Sequence, residues 1–104
     1  MKRVQAVIRP ERLDQVQESL ALAGFDGFMV YDVRGHGSEQ TPSGEWRGVA
    51  YSMSVKHKLM VDVLVEDDEV ETAAKAIKQA ASTGQAGDGL LFVLDVVAVA
   101  PLRT

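Results

Sequence analysis

The sequence predicts an α+β fold: one antiparallel sheet of four strands with two helices packed on one face. Three observations carry that expectation. The apolar pattern switches twice from a short strand-like run to a three- and four-residue helical spacing, in the order β-α-β, loop, β-α-β. At 104 residues the chain has the length of a single core, so residues 1–104 are expected to form one domain. Its composition, 46% hydrophobic and 25% charged, is that of a globular chain and not of a disordered one.

Val4 to Ile8 is short, rich in β-branched residues and followed closely by Pro10, and reads as a buried strand. From Pro10 the period changes: Leu13, Val16, Leu20 and Ala23 fall on one helix face. Proline suits the first helical turn, where its missing N–H is not needed, and Gly24 is a natural C-terminal stop. Phe25 to Val33 reads as the second strand and Leu59 to Val65 as the third, with Met60, Asp62 and Leu64 on one side. Val70, Ala73, Ala74, Ile77 and Ala81 mark the second helix, Ser82-Thr83-Gly84 ends it, and Leu90 to Val99 is the last strand. The four acids Glu66 to Glu69 precede that helix. They read as its N-terminal cap rather than as a metal site, because ligands crowded on one turn cannot converge on one ion.

Between strands two and three, residues 34–54 hold four glycines and a proline with little apolar periodicity, and predict a long flexible loop. A domain of this size rarely carries such a loop without a use for it. The halves echo each other: Asp26-Gly27 opens a strand ending Asp32-Val33, and Asp88-Gly89 opens one ending Asp95-Val96. Two split β-α-β units in this order give the ferredoxin-like βαββαβ arrangement. The strands are apolar at both parities (Val4, Ala6, Ile8, Val61, Val63, Val65, Leu91, Val93, Leu94), so both sheet faces need cover. Two helices cover only one, and an oligomer is expected.

Eleven basic against fifteen acidic residues give a net charge of −4, which argues against non-specific nucleic-acid binding and against docking on an anionic membrane. With no cysteine, disulfides, cysteine-ligated zinc and thiol catalysis are excluded. The first residues lack the apolar region of a signal peptide, and no apolar run approaches the roughly 20 residues that span a bilayer. The expected location is the cytoplasm.

Several constellations bear on chemistry. Thr83-Gly84-Gln85-Ala86-Gly87-Asp88-Gly89 is a glycine-rich turn, readable as an anion-binding concavity or as a plain connection; it is not a Walker loop. His36 and His57 read as solvated loop histidines, since no nucleophile and carboxylate accompany them at catalytic spacing. Ser52 and Ser54 lack a nucleophile elbow or oxyanion loop. Trp46 and Tyr51 suit core staples and partner-binding anchors equally. An acylphosphatase-like enzyme would need a glycine-bearing anion loop after the first strand and an asparagine later. Arg9-Pro10-Glu11-Arg12 has no glycine and the chain has no asparagine, so no catalytic residue, metal or cofactor is expected.

From Lys2 to Thr104 the chain resembles the PII nitrogen-regulatory signal proteins. The matching pieces are Ile8-Arg9-Pro10 with Leu13, Val33-Arg34-Gly35 with Gly37, Arg47-Gly48 with Tyr51, Lys58, Thr83-Gly84 with Gly87-Asp88-Gly89 and Phe92-Val93, and Arg103-Thr104. The resemblance implies a homotrimer with an adenine nucleotide in each cleft between subunits. It also implies a loop, residues 36–54, that engages a transporter or enzyme. On that basis Gly35, Gly37, Ser38, Lys58, Leu64, Gly87, Asp88, Gly89, Leu90 and Arg103 are the nucleotide-binding positions. Glu39, Gln40, Trp46, Arg47 and Tyr51 are the effector and partner positions, Tyr51 falling where some members are nucleotidylylated.

The chain departs from the family pattern within this site. Ser38, Leu90 and Pro101 stand where cations are usual, Glu39 where a glutamine is usual, and Gln40 where a lysine is usual. Each lost charge-assisted bond is worth about 1.5–3 kcal/mol. The expected ligand is therefore ADP or AMP in preference to ATP, with bicarbonate or a cyclic nucleotide as the alternative signal to nitrogen status.

Overall fold

The computed structural model describes residues 1–35, 43–46, 49–52 and 56–104, the two short internal stretches by their backbone. In chain order the elements are β1 (Lys2–Ile8), α1 (Leu13–Leu22), β2 (Met29–Gly35), β3 (Ser43–Trp46), β4 (Val49–Ser52), β5 (Lys56–Val65), α2 (Val70–Ala81) and β6 (Gly89–Asp95). Four strands form one antiparallel sheet in the order β2-β5-β1-β6, and β3 pairs with β4 alone. This is the α+β, ferredoxin-like arrangement that the sequence predicts.

Strand β1 is paired along its whole length on both sides. Val4 lies opposite Val63 and Val93, Ala6 opposite Val61 and Leu91, and Ile8 opposite Leu59 and Gly89. These residues alternate with Arg3, Gln5 and Val7, so they all face one side. There they meet Val16 and Leu20 of α1 and Ala73, Ala76, Ile77, Ala80 and Ala81 of α2, and together they form the core. The second helix thus buries Ala76 and Ala80, while Ala74, expected on that face, is only partly covered. Small residues let α2 lie close to the sheet, and the helices are tied by polar contacts. The Ser19 hydroxyl donates to the Ala76 carbonyl at 2.7 Å, and the Arg12 guanidinium donates twice to the Ala80 carbonyl, at 2.9 and 2.7 Å. A cation there completes the free carbonyls of the last turn of α2.

Element boundaries differ from the sequence reading for identifiable reasons. A 3-10 turn over Pro10–Arg12 precedes α1, so Pro10 leads into the helix instead of sitting within it. Gly24 does stop the helix: its φ of 96° lets the Phe25 N–H return to the Leu20 carbonyl at 2.9 Å. The last strand ends at Asp95 and not at Val99, because Asp95 already faces Lys2 and β1 offers no earlier partner. Residues 96–104 follow without regular structure, with Val97 and Leu102 fully exposed. The acids before α2 act as a cap: Glu66 and Glu69 exchange hydrogen bonds in a capping box, and Asp67 receives the N-terminal amine at 2.8 Å.

The stretch expected to be an unstructured loop contains a hairpin. Ser43 pairs with Ser52 and Trp46 with Val49. Val49, Tyr51 and Trp46 are strong strand formers, and two residues ending in glycine separate the strands, a spacing that suits a tight turn.

Gly89 is required by the sheet itself. Its φ is +123°, and a Cβ there would lie 1.8 Å from the Val7 carbonyl oxygen. Backbone strain of this kind costs about 1–3 kcal/mol before any clash. Gly89→Ala should therefore lower the thermal midpoint by on the order of 10 °C in circular dichroism. A change of less than about 2 °C would show that β6 can shift freely away from β1.

Candidate functional site

The register of β1 determines what gathers beyond its end. Since Ile8 lies between Leu59 and Gly89, the next residue, Arg9, falls between Lys58 of β5 and Asp88 of the glycine-rich turn. The side chains confirm this. Arg9 Nε donates to Asp88 Oδ1 at 3.1 Å and its Nη2 to the Ala86 carbonyl at 2.9 Å. Lys58 Nζ donates to the Gly87 carbonyl at 2.7 Å. Two cations, one directly after β1 and one on β5, thus hold successive carbonyls of one turn.

Asp88 closes that turn from within. Its carboxylate accepts the Thr83 N–H at 2.8 Å, the Gly84 N–H at 3.1 Å, the Thr83 hydroxyl and Arg9. The N–H groups of Thr83 and Gly84, which a glycine-rich turn might offer to an anion, are therefore already occupied by the protein's own carboxylate. The Thr83 hydroxyl and N–H, with help from Arg9 and the Gly84 N–H, hold the Asp88 carboxyl well below the usual carboxylate range.

Lys58 is in the opposite situation. It is partly buried, and burial together with the nearby charges of Arg9 and Lys56 lowers its pKa. Among the described residues it makes no salt bridge to a carboxylate. Arg9 is balanced by Asp88, so among the described residues the Arg9–Asp88–Lys58 group carries a net charge of about one, which Glu11 offsets in part. It sits at the root of the loop, since Lys56 and Gly35 form the last pair between β5 and β2. An apolar cleft of about 270 Å³ lies behind the turn, lined by Ile8, Ile77, Ala81 and Leu91 with Lys78 and Ser82.

The expected site residues separate into three groups. Gly35, Lys58, Gly87, Asp88, Gly89 and Leu90 lie together around the turn and the loop root. Leu90 points a 65% exposed apolar side chain where a cation was missed. Leu64 shares the open sheet face but lies opposite Arg3, six residues or roughly 20 Å along β5 from Lys58. Arg103 belongs to the exposed C-terminal segment. One chain does not bring Leu64 to the turn. Gly37, Ser38, Glu39, Gln40 and Arg47 lie outside the described residues, as do His36 and Ser54; Trp46 and Tyr51 have their backbones in β3 and β4. His57 is on a strand and not in a loop, and its Nε2 lies 2.9 Å from Asp32 Oδ1 across the β2–β5 pair.

Sequence reasoning missed Arg9. It was visible as the residue directly after the first strand, but its role appears only once register sets it against Asp88.

The sheet order β2-β5-β1-β6 with two helices on one face defines a ferredoxin-like domain. A family model described as "Nitrogen regulatory protein P-II" matches residues 1–104. The chain is 40% identical over 104 residues to "Nitrogen regulatory protein P-II" of Microchaete diplosiphon, covering 100% of this chain and 93% of the relative. It is 38% identical, with the same coverage, to the protein of that name from Mesorhizobium japonicum and to "Nitrogen regulatory protein P-II 1" of Escherichia coli K12. The chain belongs to the P-II family of signal-transduction proteins.

The acid behaviour of the turn follows from Asp88. A carboxyl with a depressed pKa contributes stability above its ordinary value of 3.8 and loses it only as pH falls through the lower, folded value. The Thr83 and Gly84 amides should thus stay protected from hydrogen exchange at pH 4 and lose protection on stronger acidification. Thr83→Ala should move that loss to higher pH. Equal pH dependence in both proteins would remove Asp88 from the centre of the turn.

Proposed function

We propose that this chain is a non-catalytic P-II signal protein, acting as one domain, which binds an adenine nucleotide in clefts between three identical subunits. ADP and AMP are its favoured ligands over ATP. The nucleotide state is passed to a target transporter or enzyme through residues 36–54. The observation that carries the reading is the Arg9–Asp88–Lys58 row: a turn held by two cations, with one positive charge left over beside the loop root.

The charge count supports the choice of nucleotide. Arg9 adds a cation near the turn, but Asp88 cancels it, and Leu90 contributes none. Ser38 and Pro101 are uncharged as well, and Glu39 adds a negative charge. Each further phosphate then brings charge without a matching cation, so affinity does not rise with phosphate number. The position of Leu64, remote from the turn in one chain, fits clefts completed by a neighbouring copy. A cytoplasmic location agrees with the lack, among the described residues, of any helix long and apolar enough to cross a membrane.

A second reading has one observation in its favour. A single uncompensated cation suits a small monoanion, so bicarbonate is the alternative signal at Lys58.

Calorimetric titration with AMP, ADP and ATP, each with and without magnesium, 2-oxoglutarate and bicarbonate, tests both. ADP or AMP should bind at least as tightly as ATP, and 2-oxoglutarate should add nothing to ATP binding. Strong ATP preference with marked 2-oxoglutarate synergy would contradict the proposal, and a bicarbonate effect abolished by Lys58→Met would favour the second reading.

A further inference from the structure

The open sheet face holds a buried charge that the nucleotide reading does not use. Asp62 lies at the middle of β5 on the side away from the helices, yet it is only 2% exposed. Three neighbours on that face cover it. Arg3 reaches it with Nε at 3.3 Å and with Nη2, Gln5 Nε2 donates at 3.0 Å, and the Tyr31 hydroxyl donates as well. Burial opposes the charge on Asp62, but the bonds from Arg3, Tyr31 and Gln5 outweigh it and keep the carboxyl ionised below its ordinary range. Around this centre stand Met29, Leu64, Phe92 and Leu94, all between 37% and 58% exposed.

The face is thus an apolar frame around an electrically closed centre. Arg3 and Asp62 cancel, and Gln5 and Tyr31 are neutral. A partner recognised by charge of either sign gains nothing here. A second copy brings the same closed centre and no unpaired charge, so the face suits a copy of itself. A buried ion pair adds little stability over apolar residues of the same volume, but it tolerates few arrangements, because any packing that pulls one member away strands the other. A uniformly apolar face would accept many.

We infer that the Arg3–Asp62–Tyr31–Gln5 cluster fixes how many copies of this chain assemble through the open sheet face, and in what register. The inference rests on the self-assembly included in the proposed function. The cluster acts by excluding other packings, and the surrounding apolar frame supplies the affinity.

Native mass spectrometry and sedimentation velocity of the full chain test this. The wild type should give a single oligomeric species. The triple variant Arg3→Met, Gln5→Leu, Asp62→Leu, made in a Tyr31→Phe background, removes every polar member at once and leaves nothing unpaired; it should still associate, but into two or more species. Asp62→Asn keeps the shape and strands the Arg3 charge, and should weaken assembly at least tenfold. A triple variant with the single species of the wild type would overturn the inference, and so would an Asp62→Asn protein that assembles as tightly as wild type. The second holds even if the triple variant fails to fold. A monomeric wild type would instead overturn the assembly reading beneath it.

Discussion

Everything in this molecule hangs on the double pairing of β1. All seven residues from Lys2 to Ile8 are matched on one side by β5 and on the other by β6. Alternation then assigns Val4, Ala6 and Ile8 to the helices and Arg3, Gln5 and Val7 to the open face. A slip of one residue would exchange the two sets, burying an arginine under α1 and α2. Gly89 pins the register, because only a residue without Cβ can sit against the Val7 carbonyl. The same register that builds the core delivers Arg9 between Asp88 and Lys58. Fold and site are therefore one constraint expressed at two ends of a strand.

The site divides its charges unequally. Asp88 is satisfied four times over and belongs to the turn. Arg9 spends its charge on Asp88 and its reach on the Ala86 carbonyl. Lys58 alone is held in place by a neutral carbonyl while burial and two cations press against its charge. Glu11 and Asp88 offset that pressure only in part. Lys58 lies two residues from the start of β5, beside the place where the loop strands leave the sheet.

Much of this was legible in the sequence, and the rest was not for definite reasons. The two helices and four sheet strands follow from apolar spacing, and α2 was bounded within a residue or two. Strand ends were misjudged where tertiary partners decide them: Val96 to Val99 is as apolar as a strand, but β1 has run out. The β3–β4 hairpin was hidden by the glycines around it. The glycine-rich turn was seen, but not its internal chemistry; a string of letters does not tell that Asp88 folds back on Thr83 and Gly84. The Arg3–Asp62–Tyr31–Gln5 cluster was beyond reach, since its members come from three strands and meet only by register. Of the nine apolar strand residues read as covering both faces, register puts only Leu94 on the open side; the other eight face the helices.

The central claim is that register isolates one poorly compensated cation, Lys58, beside the loop root, and that an anionic ligand neutralises it. Nitrogen and carbon NMR of the Lys58 ammonium, titrated against pH with and without ADP, measures this directly. The account predicts a pKa below the ordinary lysine value of 10.5 in the free protein and a rise on ADP binding. A Lys58 that titrates at its ordinary value and does not respond to ADP would contradict it.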